Sequence, residues 1–493
     1  MNLGSAFLAA VQAHGAQPAL FWGDEVLDYR RLGALAQAAA AQWRDAHGVR
    51  PGERVALWLR NCPEFVPALL GLLLADAVVV PVNNFLKPAE VNTILADAGA
   101  DLLLSDDSQP EALAAIAAAR PGLRVVDVSG LRTWPEPAVA IEPQRGESEL
   151  AVLIYTSGTT GQPKGAMLSH GNLLHNIASC RQVLGFTPED RFGVILPLFH
   201  TYMLTVGLLL PLTTGGAMVL AKSLHQPRAL LAELAQHGAT ILLAIPQFYR
   251  TLTHAPLEGK LPFRLCISGA APLPVQVLKD FEARFGIPLI EGYGLSEASP
   301  VVSKNPLHGV RKPGSIGLPV PDVEMSVQDE AGNRLGVGEV GEICVRGGNV
   351  MLGYWNRPAE TAAALRGGWL LTGDVGYRDS DGYFFITDRK QDMLLVNGIN
   401  VYPREIEEVL YEFPGVREAA VVGVPDARRG EQARAFVVAA EGATVDVAAL
   451  QAFLRERLAD YKVPREIVLL PALPRNATGK VLKTTLRQER FGG

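Results

Sequence analysis

Short apolar runs recur along the chain and alternate with amphipathic stretches. RVALWL (54–59), AVVVPV (77–82), DLLLSD (101–106), ILLAIP (241–246) and FRLCISG (263–269) are brief and mostly apolar, which predicts strands buried on both faces. LGALAQAAAAQW (32–43) and ALLAELAQHG (229–238) carry a helical period instead, the second closing on Gly238 as a C-terminal cap. Strands and helices in alternation predict parallel sheets covered on both faces. The proline-rich interval TWPEPAVAIEPQRGESE (133–149) reads as an exposed connection. Beyond Val320 the texture changes, and VEMSVQDEAGNRLGVGEVGEICVRG (323–347) predicts antiparallel hairpins. After about Arg389 a smaller α+β segment begins, with helices at PREIEEVLYEF (403–413) and VAALQAFLRERLADY (447–461).

One stretch challenges this picture. Phe192 to Ala221 contains no Asp, Glu, Lys or Arg, and a membrane span needs about 20 apolar residues. Pro197, His200, Pro211 and the Thr-Thr-Gly-Gly at 213–216 divide it, so a buried strand, a core helix and a second strand are expected and no transmembrane segment. Composition agrees: 48% of the 493 residues are hydrophobic and 19% charged, which is globular. A net charge of −6 gives no electrostatic reason to expect nucleic acid as a partner. Cys62, Cys180, Cys266 and Cys344 are too scattered for a zinc site or a disulfide framework and fit a reducing compartment. The first residues lack a basic leader followed by an apolar core, so the expected location is cytoplasmic.

Chemistry concentrates in TSGTTGQPKG (156–165). Glycines let successive backbone N–H groups point into one space, hydroxyls add short donors, and Lys164 adds a charge suited to phosphate. A surface loop would have a similar composition, so composition alone leaves both readings open. Other signatures fail. GVGEVG (336–341) matches GxGxxG, but a strand follows it where a dinucleotide site needs a helix. No Walker A loop, HExxH or GxSxG is present, which sets aside P-loop, metalloprotease and serine-hydrolase chemistry.

The order of residues settles the choice. YTSGTTGQPKGAMLSHGNL (155–173) resembles the phosphate-binding signature of the adenylate-forming superfamily of acyl-CoA synthetases, luciferases and peptide-synthetase adenylation domains. Further similar motifs follow in that family's order: PLFH (197–200), SGAAPLP (268–274), EGYGLSEASP (291–300), TGDVGY (372–377), DRKQDMLLVNGINVYPREIE (388–407) and PRNATGK (474–480). The resemblance spans nearly the whole chain. It implies an α/β fold with a large N-terminal domain, residues 1–390, made of two α/β subdomains and a small β-barrel-like subdomain at about 320–390. A small mobile α+β domain, residues 391–493, would follow.

The implied reaction joins a carboxylic acid to AMP at the expense of ATP, releases pyrophosphate, and passes the acyl group to a thiol, with ATP, Mg2+ and CoA as cofactor and co-substrates. By this resemblance Thr156, Ser157, Gly158, Thr159, Thr160, Gly161 and Lys164 would hold the phosphates, and Thr160 and Glu297 the magnesium. Gly269, Ala270, Ala271 and Gly292 would line the nucleotide site, with Tyr293 stacked on adenine. Ser296, where the family often has Thr, would bond the α-phosphate; Asp374 would accept both ribose hydroxyls and Arg389 contact ribose or phosphate. His200 would gate the acyl pocket, walled by Phe199, Phe248 and Gly292. Lys480 would be the adenylation lysine, with Lys483 outside the motif as its control. Gln391, where relatives commonly have Asp or Lys, would be the hinge, and Gly398 would line the tunnel for the CoA thiol.

Relatives that activate dicarboxylates place an arginine where this chain has Gly292, so an apolar monocarboxylate follows by charge matching. A fatty acid of medium to long chain is expected, with an aryl acid of the coumarate or benzoate kind as the alternative. No inserted segment stands between VRGG (345–348) and GDVGY (373–377), which favours CoA over a carrier protein as acceptor. Luciferase-type oxidation and a non-catalytic acyl or nucleotide sensor are the other readings. A monomer and a homodimer are both open, as is transient contact with a membrane surface.

Overall fold

The computed structural model describes residues 1–157, 163–222, 226–256, 260–396, 399–426, 430–475 and 480–488, and among them the chain forms four sheets. The largest has nine strands, in the order Leu318–Pro319, Val301–Lys304, Leu289–Gly294, Leu265–Ser268, Ile241–Ala244, Arg191–Val194, Ala217–Leu220, Pro18–Trp22 and Glu25–Asp28. It is parallel from Leu289–Gly294 through Pro18–Trp22. The second has seven: Gly353–Tyr354, Pro163–Ser169, Leu150–Ser157, Val78–Pro81, Arg54–Leu57, Leu102–Ser105 and Arg124–Asp127. The five predicted apolar runs are all strands of these two sheets and are almost wholly buried.

Helices fill the space between. In Phe65–Leu74 every residue is buried, as an all-apolar helix requires. It packs on Tyr29–Ala41 so closely that a Cβ at Gly71 would lie 2.6 Å from the Ala39 Cβ. Gly71→Leu would therefore push apart a contact in which each buried leucine is worth roughly 2 kcal/mol. The charge-free stretch resolves as expected. Strand Arg191–Val194 leads to a π-helical Met203–Leu209, which continues as α-helix over Leu210–Thr214, turns at Gly215 (φ 96°) and returns as Ala217–Leu220. Among the described residues no helix is long and apolar enough to cross a membrane. The four cysteines are free, and three of them are buried.

The third sheet is antiparallel, built from Val323–Gln328, Gly341–Gly347, Trp369–Arg378, Leu365–Arg366 and Phe384–Arg389. GVGEVG lies in the connection between its first two strands, where Gly338 takes a φ of 79°. The fourth sheet uses Ile399–Val401, Leu394–Val396, Gly430–Ala439 and Val416–Asp426, with Glu466–Leu469 beside Gly430–Ala439. Its strands and helices Pro403–Tyr411 and Val447–Arg457 bury their own apolar cluster, which includes Ile406, Leu410, Leu450 and Leu454. The helix expected over 447–461 stops at Arg457, because Leu458 turns extended (ψ 146°) and is 8% exposed.

Candidate active site

Strands Ile241–Ala244, Leu265–Ser268 and Leu289–Gly294 are neighbours and parallel, so their carboxyl ends open together, the edge at which such sheets take up ligands. Gly269, Ala270 and Ala271 follow the second strand. A Cβ at Gly269 would come 3.0 Å from the Tyr202 ring, and Ala270 adopts a φ of 65°. The third strand ends in Gly292 and Tyr293 and passes into a 3-10 turn, Ser296–Ala298.

A chain of polar contacts crosses this edge. The Tyr293 hydroxyl donates to Asp374 Oδ2 at 2.6 Å, and Arg389 Nε stands 3.3 Å from Asp374 Oδ1. Asp374 and Arg389 are register partners on adjacent strands, so the sheet itself sets them side by side. Burial first, then the Asp374 charge, holds the Tyr293 phenol well above its usual range, so it remains a donor. Thr372 Oγ1 accepts from the Asp374 N–H at 3.1 Å, and Glu342 accepts from the Gly373 N–H at 3.0 Å. Ser296 Oγ lies 2.8 Å from Thr201 Oγ1, and Glu297 Oε1 accepts from the Tyr354 hydroxyl at 2.8 Å.

Strands Leu150–Ser157 and Pro163–Ser169 form the arms of a hairpin, with Thr156 opposite Lys164. Gly158, Thr159, Thr160 and Gly161 lie outside the described residues, as does Gly398. Lys164 Nζ sits 5.4 Å from the centre of the Tyr354 ring. Among the described residues no three His, Cys, Asp or Glu side chains gather. A cation at Glu297 would thus rest on one carboxylate, nearby hydroxyls and phosphate oxygens, a donor set that fits magnesium and not zinc.

The segment carrying Phe199 and His200 is pinned by Asn61, whose amide donates to Leu196 O and accepts from Leu198 N, both at 2.9 Å. His200 Nδ1 accepts from the Tyr202 N–H at 3.3 Å, and burial lowers its pKa to about 4, so the imidazole is neutral with its proton on Nε2. Phe199 is buried beside the exposed Phe85, ring centres 6.3 Å apart, whereas Phe248 packs with the cluster around Tyr249. A Cβ at Gly292 would meet nothing closer than 3.9 Å, so the glycine leaves space and is not demanded by packing. Lys304 stands opposite Gly292, but its ammonium donates to Val183 O at 2.6 Å.

The C-terminal part of the chain closes over this edge. Lys480 is exposed, and its amine feels the charges of both Arg389 and Asp374. Although the side chain still reaches solvent, crowding by protein and then the Arg389 guanidinium lower its pKa to about 8, against the opposing pull of Asp374 and Asp392. Gln391 is exposed in the turn after strand Phe384–Arg389. Three positions before it, the Asp388 carboxylate accepts from the Arg404 N–H at 2.9 Å, and elsewhere Arg250 donates to Val416 O at 3.1 Å. Lys483 is no neutral control: it forms a 2.8 Å ion pair with Glu407, with both side chains mostly buried, and it also acts on Asp388. Sequence reasoning did not single out Tyr354, Thr201, Asn61 or Arg404. Each acts across a long sequence separation and belongs to no spaced motif, although Arg404 falls inside one of the quoted runs.

A body of two largely parallel sheets followed by an antiparallel sheet and a small C-terminal domain is the architecture of adenylate-forming enzymes, and ATP-bound MatB from Rhodopseudomonas palustris superposes with a TM-score of 0.92 at 35% identity, over 99% of both chains. The chain belongs to the AMP-binding enzyme family, which matches residues 7–355, with the family's C-terminal domain matching 405–480. It is 38% identical to the long-chain-fatty-acid–CoA ligase of Bacillus subtilis (strain 168), over 91% of this chain and 88% of that one. It is 39% identical to a feruloyl-CoA synthase of Amycolatopsis sp, over 95% of both.

Proposed function

We propose that the chain is an AMP-forming acid–thiol ligase that makes an acyl-CoA from a medium- to long-chain fatty acid. A carboxylate oxygen attacks the α-phosphorus of ATP, the bond to the β-phosphate oxygen breaks, and pyrophosphate departs. The deprotonated sulfur of CoA then attacks the carbonyl carbon, and AMP leaves with the bonding electrons. The observation that carries this reading is the convergence of Tyr293, Asp374 and Arg389 at the carboxyl edge of the parallel sheet, within electrostatic reach of Lys480.

In this reading Asp374 receives the ribose hydroxyls, Tyr293 faces the adenine, and Ser296 and Lys164 bond phosphate oxygens. Glu297 would hold magnesium, which supplies charge neutralisation on the phosphates. Lys480 faces the oxygens on which charge develops, so its contribution falls on the rate and not on ATP affinity. His200, neutral, shapes the acyl entrance and carries no counter-charge. The small domain then turns about Gln391 so that the thiol can approach.

The open space at Gly292, and a Lys304 already engaged with a backbone carbonyl, mean that neither of these two positions offers a second carboxylate a partner. The likeness to a feruloyl-CoA synthase supports an aryl acid as the second reading, since the same space takes a flat ring. Thioester formation with a ladder of fatty and aryl acids decides. A maximum among C8 to C18 acids is expected, and a maximum at cinnamate-type acids would transfer the assignment to the second reading. Pyrophosphate release with none of them would leave a nucleotide sensor on this fold.

A further inference from the structure

We propose that Tyr354 is a positioning residue that aligns the magnesium-binding carboxylate and the phosphate-binding lysine with a single phenol. This inference rests on the roles given above to Glu297 and Lys164. Tyr354 lies on the two-residue strand Gly353–Tyr354 at the edge of the second sheet, directly opposite Ala166. Side chains two apart on a strand share a face, so Lys164 and the partner of Ala166 project together. Lys164 Nζ accordingly stands 5.4 Å from the Tyr354 ring centre, within the range at which an ammonium is drawn to a π face. The hydroxyl, in the plane of the ring, donates to Glu297 Oε1 at 2.8 Å.

The surrounding backbone makes this ring a fixed reference. The Tyr354 N–H donates to Thr361 Oγ1 at 2.9 Å, and the Met351 N–H donates to the Glu297 carbonyl at 2.8 Å. Asn349 reaches the Ala298 carbonyl at 3.0 Å, so the 349–354 segment braces the turn that carries Ser296 and Glu297. The phenol donates and the carboxylate accepts in this bond. One Glu297 oxygen is thereby occupied and its carboxylate plane set, so a cation meets the other oxygen in a defined direction. Without the brace, Lys164 and Glu297 carry opposite charges on flexible side chains and no longer hold separate stations for phosphate and metal.

The test compares the full-length chain with Tyr354→Phe, Tyr354→Leu and Glu297→Gln. Calorimetric binding of a non-hydrolysable ATP analogue is titrated against Mg2+, alongside pyrophosphate release and the second half-reaction from supplied acyl-adenylate. Tyr354→Phe removes a hydrogen bond to a charged group, so the Mg2+ concentration for half-maximal analogue binding should rise about five- to tenfold, with binding in EDTA unchanged. Tyr354→Leu should additionally weaken analogue binding in EDTA, because Lys164 loses its ring. Thioester formation from acyl-adenylate should persist in both. A Mg2+ curve for Tyr354→Phe that overlays the parent's, while Glu297→Gln shifts it, would overturn the inference alone. A Glu297→Gln curve that also overlays the parent's would overturn the role given to Glu297. Equal loss of both half-reactions with a lowered Tm in Tyr354→Phe would make the tyrosine merely structural.

Discussion

Raising the pH should switch off adenylation through Lys480 before it harms the rest of the reaction. Crowding by protein, and then the positive charge of Arg389, lower the pKa of the Lys480 amine from 10.5 to about 8. Below about pH 8 the free enzyme carries the ammonium that the reacting oxygens need. At pH 9 about one tenth of it keeps the charge and at pH 10 about one hundredth, so kcat/KM for pyrophosphate release should fall tenfold per unit on its alkaline limb. Bound phosphates favour the ammonium, so the limb in kcat should lie at higher pH than the limb in kcat/KM. The assay is initial-rate pyrophosphate release at subsaturating ATP and acid between pH 7 and 10, with thioester formation from supplied acyl-adenylate as internal reference. Lys480→Arg keeps its charge throughout, so its lower rate should be flat over this range. A parent profile flat to pH 10, or a falling limb that survives in Lys480→Arg, would refute the assignment.

Three further outcomes follow. Asp374→Asn weakens the acceptor that anchors Tyr293 and Arg389, and should raise KM for ATP about ten- to a hundredfold, with 2′-deoxy-ATP losing less than ATP does. Lys483→Met leaves Glu407 without its cationic partner, holding only the Val421 N–H. It should lower stability on the order of 2 kcal/mol by denaturant melt, less than for a fully buried pair because Lys483 is 19% exposed. Burial opposes the charge, but the nearby carboxylates, Glu407 first, outweigh it and the Lys483 pKa is raised above 10.5, so while Glu407 is ionised the stabilisation is complete below that pH and is lost as pH climbs through the raised value; on the alkaline side the parent and variant melts should converge there. Gly292→Phe fills space in which even a Cβ meets nothing within 3.9 Å, and should shift preference toward shorter acids at least tenfold, measured by competition for thioester formation.

Much of this was legible in one dimension. Short apolar runs are strands because parallel sheets bury both faces, and the period of two never appears in them. The hairpin of Val323–Gln328 and Gly341–Gly347 was visible because VEMSVQ alternates apolar and polar residues ahead of a run of turn residues. Motif order also located Asp374 and Arg389, whose adjacency is a matter of local register. What stayed hidden depends on distant segments. The Tyr354–Glu297 bond spans 57 residues, and Asn61 reaches Leu198 across 137, so neither leaves a local spacing to read. Lys483 shows the opposite failure: a lysine outside a motif reads as a surface charge, and only the neighbouring Glu407 and Asp388 make it part of the interior.

The pairing of Asp374 with Arg389 lies two positions before Gln391, at the very end of its strand. In the proposed reading, the pivot and the nucleotide's grip therefore share a single strand edge. A swing about that turn would carry Lys480 away while scarcely disturbing the ribose, as an oar moves about its rowlock. AMP would then stay moored through both chemical acts, and the second would begin without recapturing what the first produced.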